Sequence, residues 1–213
     1  MIYKELVDAD FETLVKFWNG PPPTQEEENL WYSEVAYAIR DFGDPGSAFL
    51  LKQLDSRDNS RLAEAIEALC WQPSRGEATP LSSDQQHQLG THLLSYLDHP
   101  HPIVVMRTIV GLASLKETGV KDRVLALKQH ASPYVRGGVL MYLTRIFPSE
   151  AFGPLCEALS DESYIVRMSA IDELEDLTAT EAIPLIRPLL RDPHPDVREA
   201  AEWTLSVLSD DDF

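Results

Sequence analysis

Chemistry in a protein needs residues of the right type at a spacing that lets them converge, and the histidines are the first candidates. His99, His101, His130 and His194 stand in short Pro- and Asp-containing stretches. Metal ligands must come within about 2 Å of one ion. His101 and His194 are separated by three periods of the repeat described below, and equivalent turns of stacked helices lie about 8 to 10 Å apart per repeat. Only HPH at 99–101 offers two imidazoles locally, so no metal site is expected. The acids Asp172, Glu173, Glu175 and Asp176 crowd one segment, but at that spacing they read as the wet face of a helix rather than a general acid and base. Cys70 and Cys156 are far apart, each within a helical pattern. They predict buried or half-buried thiols in a reducing compartment rather than a disulfide framework. The chain has no Gly-rich phosphate loop, zinc-protease helix motif, paired CxxC or nucleophile elbow. A non-enzymatic protein with no cofactor is expected.

The elements that position these residues form a repeat. LSDESYIVRMSAIDELEDL at 159–177 lies over LRDPHPDVREAAEWTLSVL at 190–208. They match at Leu159 and Leu190, Asp161 and Asp192, Val166 and Val197, Arg167 and Arg198, Ala170 and Ala201, and Leu174 and Leu205, a constant offset of 31 residues. Units of that length cannot bury their own apolar face and must stack to do so. Helix pairs are predicted at 84–97 with 102–115, 120–128 with 133–146, 150–159 with 163–177, and 181–190 with 195–208. Pro102, Pro133 and Pro195 stand at first-turn positions, whereas Pro188 should kink its helix. An earlier copy, 54–69, aligns without gaps on 159–174, after a first helix at 47–54. The 12 residues by which the step from Leu54 to Leu97 exceeds one period belong to an inserted loop at about 72–86. Residues 1–46 are expected to form an N-terminal helical cap, and 47–213 the array. In the cap, Phe11, Leu14, Val15 and Trp18 recur at helical spacing before Gly20. Thr24 with Glu27 makes a capping-box signature for a helix at 25–42 that turns Leu30, Trp31, Val35, Ala38 and Ile39 inward, with GDPG at 43–46 ending it. The tail SDDDF reads as a solvated acidic end.

DPHPDVREAAEWTL and DESYIVRMSAIDEL resemble HEAT repeats, in particular the short bacterial type named for phycobilisome lyases. The resemblance covers about four copies over 93–208 and a weaker one at 49–69. It implies an all-α, right-handed α-solenoid of about five stacked antiparallel helix pairs, with the second helices lining a concave face. It also implies that Asp161 with Arg167 and Asp192 with Arg198, each pair six residues apart across a turn, form a ladder joining one repeat to the next. Arg136 is a third such arginine whose acid is replaced by His130. In the preceding copy His99 and Val105 hold the two places, so stacking there must rely on apolar packing.

With Val166, Ala170, Leu174 and Leu177 turned to the core, about 100° per residue places Ile165, Met168, Asp172 and Asp176 on the opposite side. Steps of 31 give three columns: Val110, Met141, Asp172 and Trp203; Met106, Gly137, Met168 and Glu199; Ile103, Tyr134, Ile165 and Asp196. An adaptable apolar strip containing Met106, Met141 and Met168, rimmed by Asp172, Asp176, Asp196 and Glu199, is the surface a protein-binding groove requires. The adjacent Gly137 and Gly138 cost about 1 kcal/mol each relative to Ala within a helix. A close backbone contact and tight helix packing account for them equally well.

The formal charge of −17, from 35 acids against 18 bases, disfavours direct nucleic-acid binding, which needs Lys and Arg to displace counterions. It favours a basic partner. The amino terminus is too acidic and amphipathic for a signal peptide, and without a run of about 18 apolar residues no membrane span is expected. A monomeric cytoplasmic protein follows. The leading expectation is a module that holds a partner protein as an adaptor or as an inhibitor of the immunity type. The resemblance also admits a phycobilin lyase acting on bilin attachment, and the acidity admits a DNA mimic that blocks a DNA-binding protein. DNA glycosylases with HEAT-like folds need a positive groove, which these acids deny.

Overall fold

The computed structural model describes residues 3–24, 28–71 and 80–209. The proposed Thr24–Glu27 capping box, the helix start at Gln25, most of the inserted loop (72–79) and the acidic tail from Asp210 on lie outside the described residues. Among the described residues every regular element is helical, and no helix is long and apolar enough to cross a membrane. The chain divides into two compact units, 1–115 and 116–213.

In the first unit, α1 (Lys4–Val7) and α2 (Phe11–Asn19) precede two layers. The inner layer is α3 (Glu28–Arg40), α5 (Asn59–Cys70) and α7 (Pro102–Ser114), packed side by side, while α4 (Asp44–Gln53) and α6 (Ser83–Tyr96) back them. The starts are encoded locally. Asp10 and Asp58 accept from backbone N–H groups of α2 and α5, and Ser82 with Gln85 forms a reciprocal capping box on α6. The helix begins at Ser83, one residue before the expected 84, so the expected loop at about 72–86 ends by Ser82. GDPG also acts differently from expectation. Gly43, at φ 71°, ends the α3 turn, and Asp44, Pro45 and Gly46 already form the first turn of α4. Gly46 is obligatory there, because a Cβ would stand 1.8 Å from the Ile39 carbonyl oxygen. Trp31, Val35, Ala38 and Ile39 are buried, but Leu30 is 43% exposed and not inward as predicted. Trp18 and Tyr32 anchor the cap: the Trp18 indole donates to Gln53 and the Tyr32 hydroxyl to the Gly20 carbonyl.

The second unit repeats the scheme. Its inner helices are α9 (Pro133–Ile146), α11 (Tyr164–Asp176) and α13 (Pro195–Ser209), and α9 and α13 both pack on α11. The backing helices are α8 (Lys121–Leu125), which tightens into a 3₁₀ turn at Ala126–Gln129, α10 (Pro148–Ala158), and the four-residue α12 (Ile183–Ile186) between 3₁₀ turns at Thr180–Ala182 and Arg187–Arg191. Pro188 breaks its helix more than the expected kink requires, because its ring and missing N–H stop the α pattern at Ile186. Leu140, Leu143, Leu155, Val166, Ile171, Leu174, Ile186, Val197 and Leu208 form the core, with Leu177 partly buried against it.

Candidate functional site

The turns between paired helices set the geometry of everything else. In five of them one side chain accepts the backbone N–H two residues on, at 2.8 to 3.1 Å: Ser56 from Asp58, His99 from His101, His130 from Ser132, Asp161 from Ser163, and Asp192 from His194. His99 and His130 therefore do in their turns what the aspartates do in theirs, as turn-closing acceptors. Among the described residues no group of three or more His, Cys, Asp or Glu side chains could hold a metal ion.

Arginines bridge these turns from repeat to repeat. Arg136 Nε and Nη2 donate to Asp161 at 3.0 and 2.7 Å, and Arg167 makes the same fork to Asp192 at 2.8 and 2.7 Å. The six-residue pairing within a repeat has a different chemistry: Arg167 Nη1 donates to the backbone carbonyl of Asp161, Arg136 to that of His130, and Arg198 to those of Asp192 and Pro193. Arg136 and Arg167 thus each tie their own turn by the carbonyl and the next repeat by the carboxylate, while Arg198 ties only its own turn. Arg167's hydrogen bonds hold the Asp192 carboxyl below the ordinary carboxylate range. Partial burial pushes the Asp161 carboxyl up, but the Arg136 hydrogen bonds, the Ser163 N–H and the charges of Arg136 and Arg167 together bring it below its ordinary value.

With the helices fixed in this way, the second unit presents an inner face. Tyr134 is 60% exposed and Trp203 64% exposed. Met141, Ile165 and Met168 are half-buried, and Asp172, Asp176, Asp196 and Glu199 are exposed. Gly137 and Gly138 correct the expectation, since both are buried in α9 and offer nothing to a partner. A Cβ on Gly137 would meet Ser169 Oγ of α11 at 3.0 Å, so at Gly137 the glycine serves close helix packing. Trp203 is held although exposed: its indole N–H donates to Glu175 Oε1 at 3.1 Å, and the Thr204 hydroxyl donates to Glu175 Oε2 at 2.5 Å. Among the described residues Asp172, Asp176 and Glu199 have no ion-pair partner, while Asp196 faces His194 at 3.8 Å. Although Asp172 is exposed, partial desolvation of its carboxyl, with Glu175 and Asp176 nearby, raises it above its ordinary value.

On the first unit, Ile103, Met106 and Val110 are half-buried on α7. Beside them stands a cluster that sequence reasoning did not single out. Arg107 pairs with Glu64 at 3.3 Å and with Glu67 at 2.7 Å, and Tyr37 meets Trp71 edge to face at 5.4 Å. The Glu64 side chain is wholly buried, and burial pushes its carboxyl up to about 7 despite Arg107. Burial likewise raises the Tyr37 hydroxyl and pushes the Cys70 thiol up to about 12. The signal was present: the 54–69 copy aligns Glu67 with Asp172, and the 12-residue insertion before the next copy hides the column.

Comparison with known proteins agrees with this architecture. A family model described as HEAT repeats matches residues 120–206. No curated protein matches the chain. Among solved structures, the crystal structure of an engineered protein aligns at 18% identity and TM-score 0.54, covering 94% of this chain and 97% of that one. A second engineered protein aligns at 16% identity and TM-score 0.52, covering 94% and 98%. A designed armadillo repeat protein aligns at 17% identity and TM-score 0.43, covering 93% and 100%. At these identities the likeness concerns the fold alone.

Proposed function

For this HEAT-repeat protein we propose a non-enzymatic role, the holding of a basic segment of a partner protein on the inner-helix face of residues 116–213. The observation that carries the reading is the pinned, exposed Trp203 beside carboxylates that no cation of the described residues neutralises. Exposed apolar surface with charged margins marks interaction sites. Carboxylates crowded together become more favourable when a partner brings positive charge. Tyr134, Ile165, Met168 and Met141 supply the apolar contact, while Asp172, Asp176, Asp196 and Glu199 select the partner's sign. An adaptor and an inhibitor or immunity-type protein both work by such a grip.

Fluorescence anisotropy with a labelled decapeptide of mixed Lys and Arg, set against its all-Glu counterpart, tests the reading. The basic peptide should bind, more weakly as salt screens the charges, and D172N/D176N should weaken it several-fold. Equal binding of the acidic peptide, or indifference to the double substitution, would overturn the assignment.

A further inference from the structure

The two units contain the same acidic position in two electrostatic conditions. Glu67 on α5 and Asp172 on α11 align in the repeat. Glu67 has its own guanidinium, because Arg107 on the next inner helix places Nη1 2.7 Å from Glu67 Oε2. The residue equivalent to Arg107 on the helix following Asp172 is Ala200, three periods along, so the second unit has the acid without its arginine. Three residues beyond that alanine, on the same helix, stands Trp203, its indole fixed by Glu175 and its ring 64% exposed. Among the described residues cations cover the rings of Tyr32 and Phe147, and none covers Trp203.

Resting on the reading above, we propose that this face takes an arginine side chain of the partner, with its guanidinium forked onto Asp172 and stacked on the Trp203 ring. Asp172 on α11 and Trp203 on α13 belong to neighbouring packed helices and hold equivalent positions in the repeat, so a planar guanidinium laid across the exposed face can reach a carboxylate on one and an indole on the other. The chemistry selects arginine over lysine. A guanidinium donates two parallel hydrogen bonds to one carboxylate while offering its flat face to an aromatic ring, whereas an ammonium is a compact, strongly hydrated point charge. Fixing the indole in advance removes the cost of ordering it on binding.

The test compares blocked hexa-arginine with blocked hexa-lysine by calorimetry on the full chain and on W203A, W203F and D172N. The wild-type chain should prefer hexa-arginine by about threefold to tenfold. W203A should bring that ratio close to one, W203F should leave an intermediate ratio, and D172N should weaken hexa-arginine more than hexa-lysine. Trp203 is exposed, so circular dichroism should show W203A folded. If both peptides bind but the ratio ignores W203A, the arginine assignment falls and the basic-partner reading stands. If neither peptide binds, the basic-partner reading falls and takes the assignment with it.

Discussion

Asp192→Ala is the substitution from which the ladder can be measured. The Asp192 side chain is 4% exposed and that of Arg167 12%. The carboxylate receives two guanidinium hydrogen bonds and the backbone N–H of His194. Breaking a buried pair by removing one partner costs about 3 to 5 kcal/mol. Arg167 keeps its Nη1 bonds to the carbonyls of Asp161 and Glu162, which favours the lower end, about 3 kcal/mol. Asp192→Asn should cost about half as much, since its amide oxygen can still close the turn. Arg167→Met strands the acid instead, and the double variant should lose less than the two singles together, with a coupling of about 2 kcal/mol. Urea unfolding gives these values, and hydrogen exchange should place the opening in α13. There is a pH corollary. A carboxyl held low in the folded state contributes stability that is complete above its unfolded pKa and is lost as pH falls through its folded value, so D192N should blunt the acid loss below about pH 4. Additive single variants, or a D192A cost below about 0.5 kcal/mol, would refute the ladder as a source of stability.

Glu64 should produce the opposite pH slope. Its folded carboxyl is raised to about 7 from 4.5, so the folded chain keeps a proton that the unfolded chain releases. Stability should fall as pH rises between those values, by up to roughly 3 kcal/mol. Glu64→Gln should flatten the slope in urea titrations at pH 5 and pH 8, and an unchanged slope would refute it. Gly46→Ala should cost more than about 3 kcal/mol or abolish folding, because its Cβ meets backbone that cannot yield. Gly90→Ala in α6 meets nothing within 4 Å and should raise thermal stability by about 0.5 to 1 kcal/mol. Thermal unfolding of the two variants should therefore shift in opposite directions.

The helix pairs and the core positions of α11 were legible because stacking leaves a period in the chain. Val166, Ala170 and Leu174 must recur where the next helix covers them, and all three are buried. Where a residue's role depends on which neighbour reaches it, the period alone was insufficient. Asp161 and Arg167 share a turn, yet the carboxylate belongs to Arg136 one repeat back, a choice made by side-chain reach rather than spacing. Gly137 fell on an open column by arithmetic, but close approach of α9 and α11 buries it, and its neighbour Gly138 is buried too. The Glu64, Glu67 and Arg107 cluster went unread because the insertion breaks the register that would have aligned it. Leu30 illustrates the converse, an apolar residue at helical spacing that is left 43% exposed.

Within one inner helix, stability and recognition occupy different columns. On α11, Val166, Ala170 and Leu174 hold the core and Arg167 the ladder, while Asp172 and Asp176 touch neither. Those two acids lie four residues apart, a like-charge spacing that costs a helix about 0.2 to 0.5 kcal/mol, and partial desolvation of the Asp172 carboxyl adds to that cost. A chain selected for stability alone would have no reason to keep that repulsion uncompensated. Asp172→Asn should therefore raise stability by a few tenths of a kcal/mol while weakening the basic peptide, two responses of opposite sign from one atom change. Urea unfolding and peptide anisotropy on the same preparation measure both. If stability and binding fall together, Asp172 supports the fold, and the inner face has no acid held in reserve for a partner.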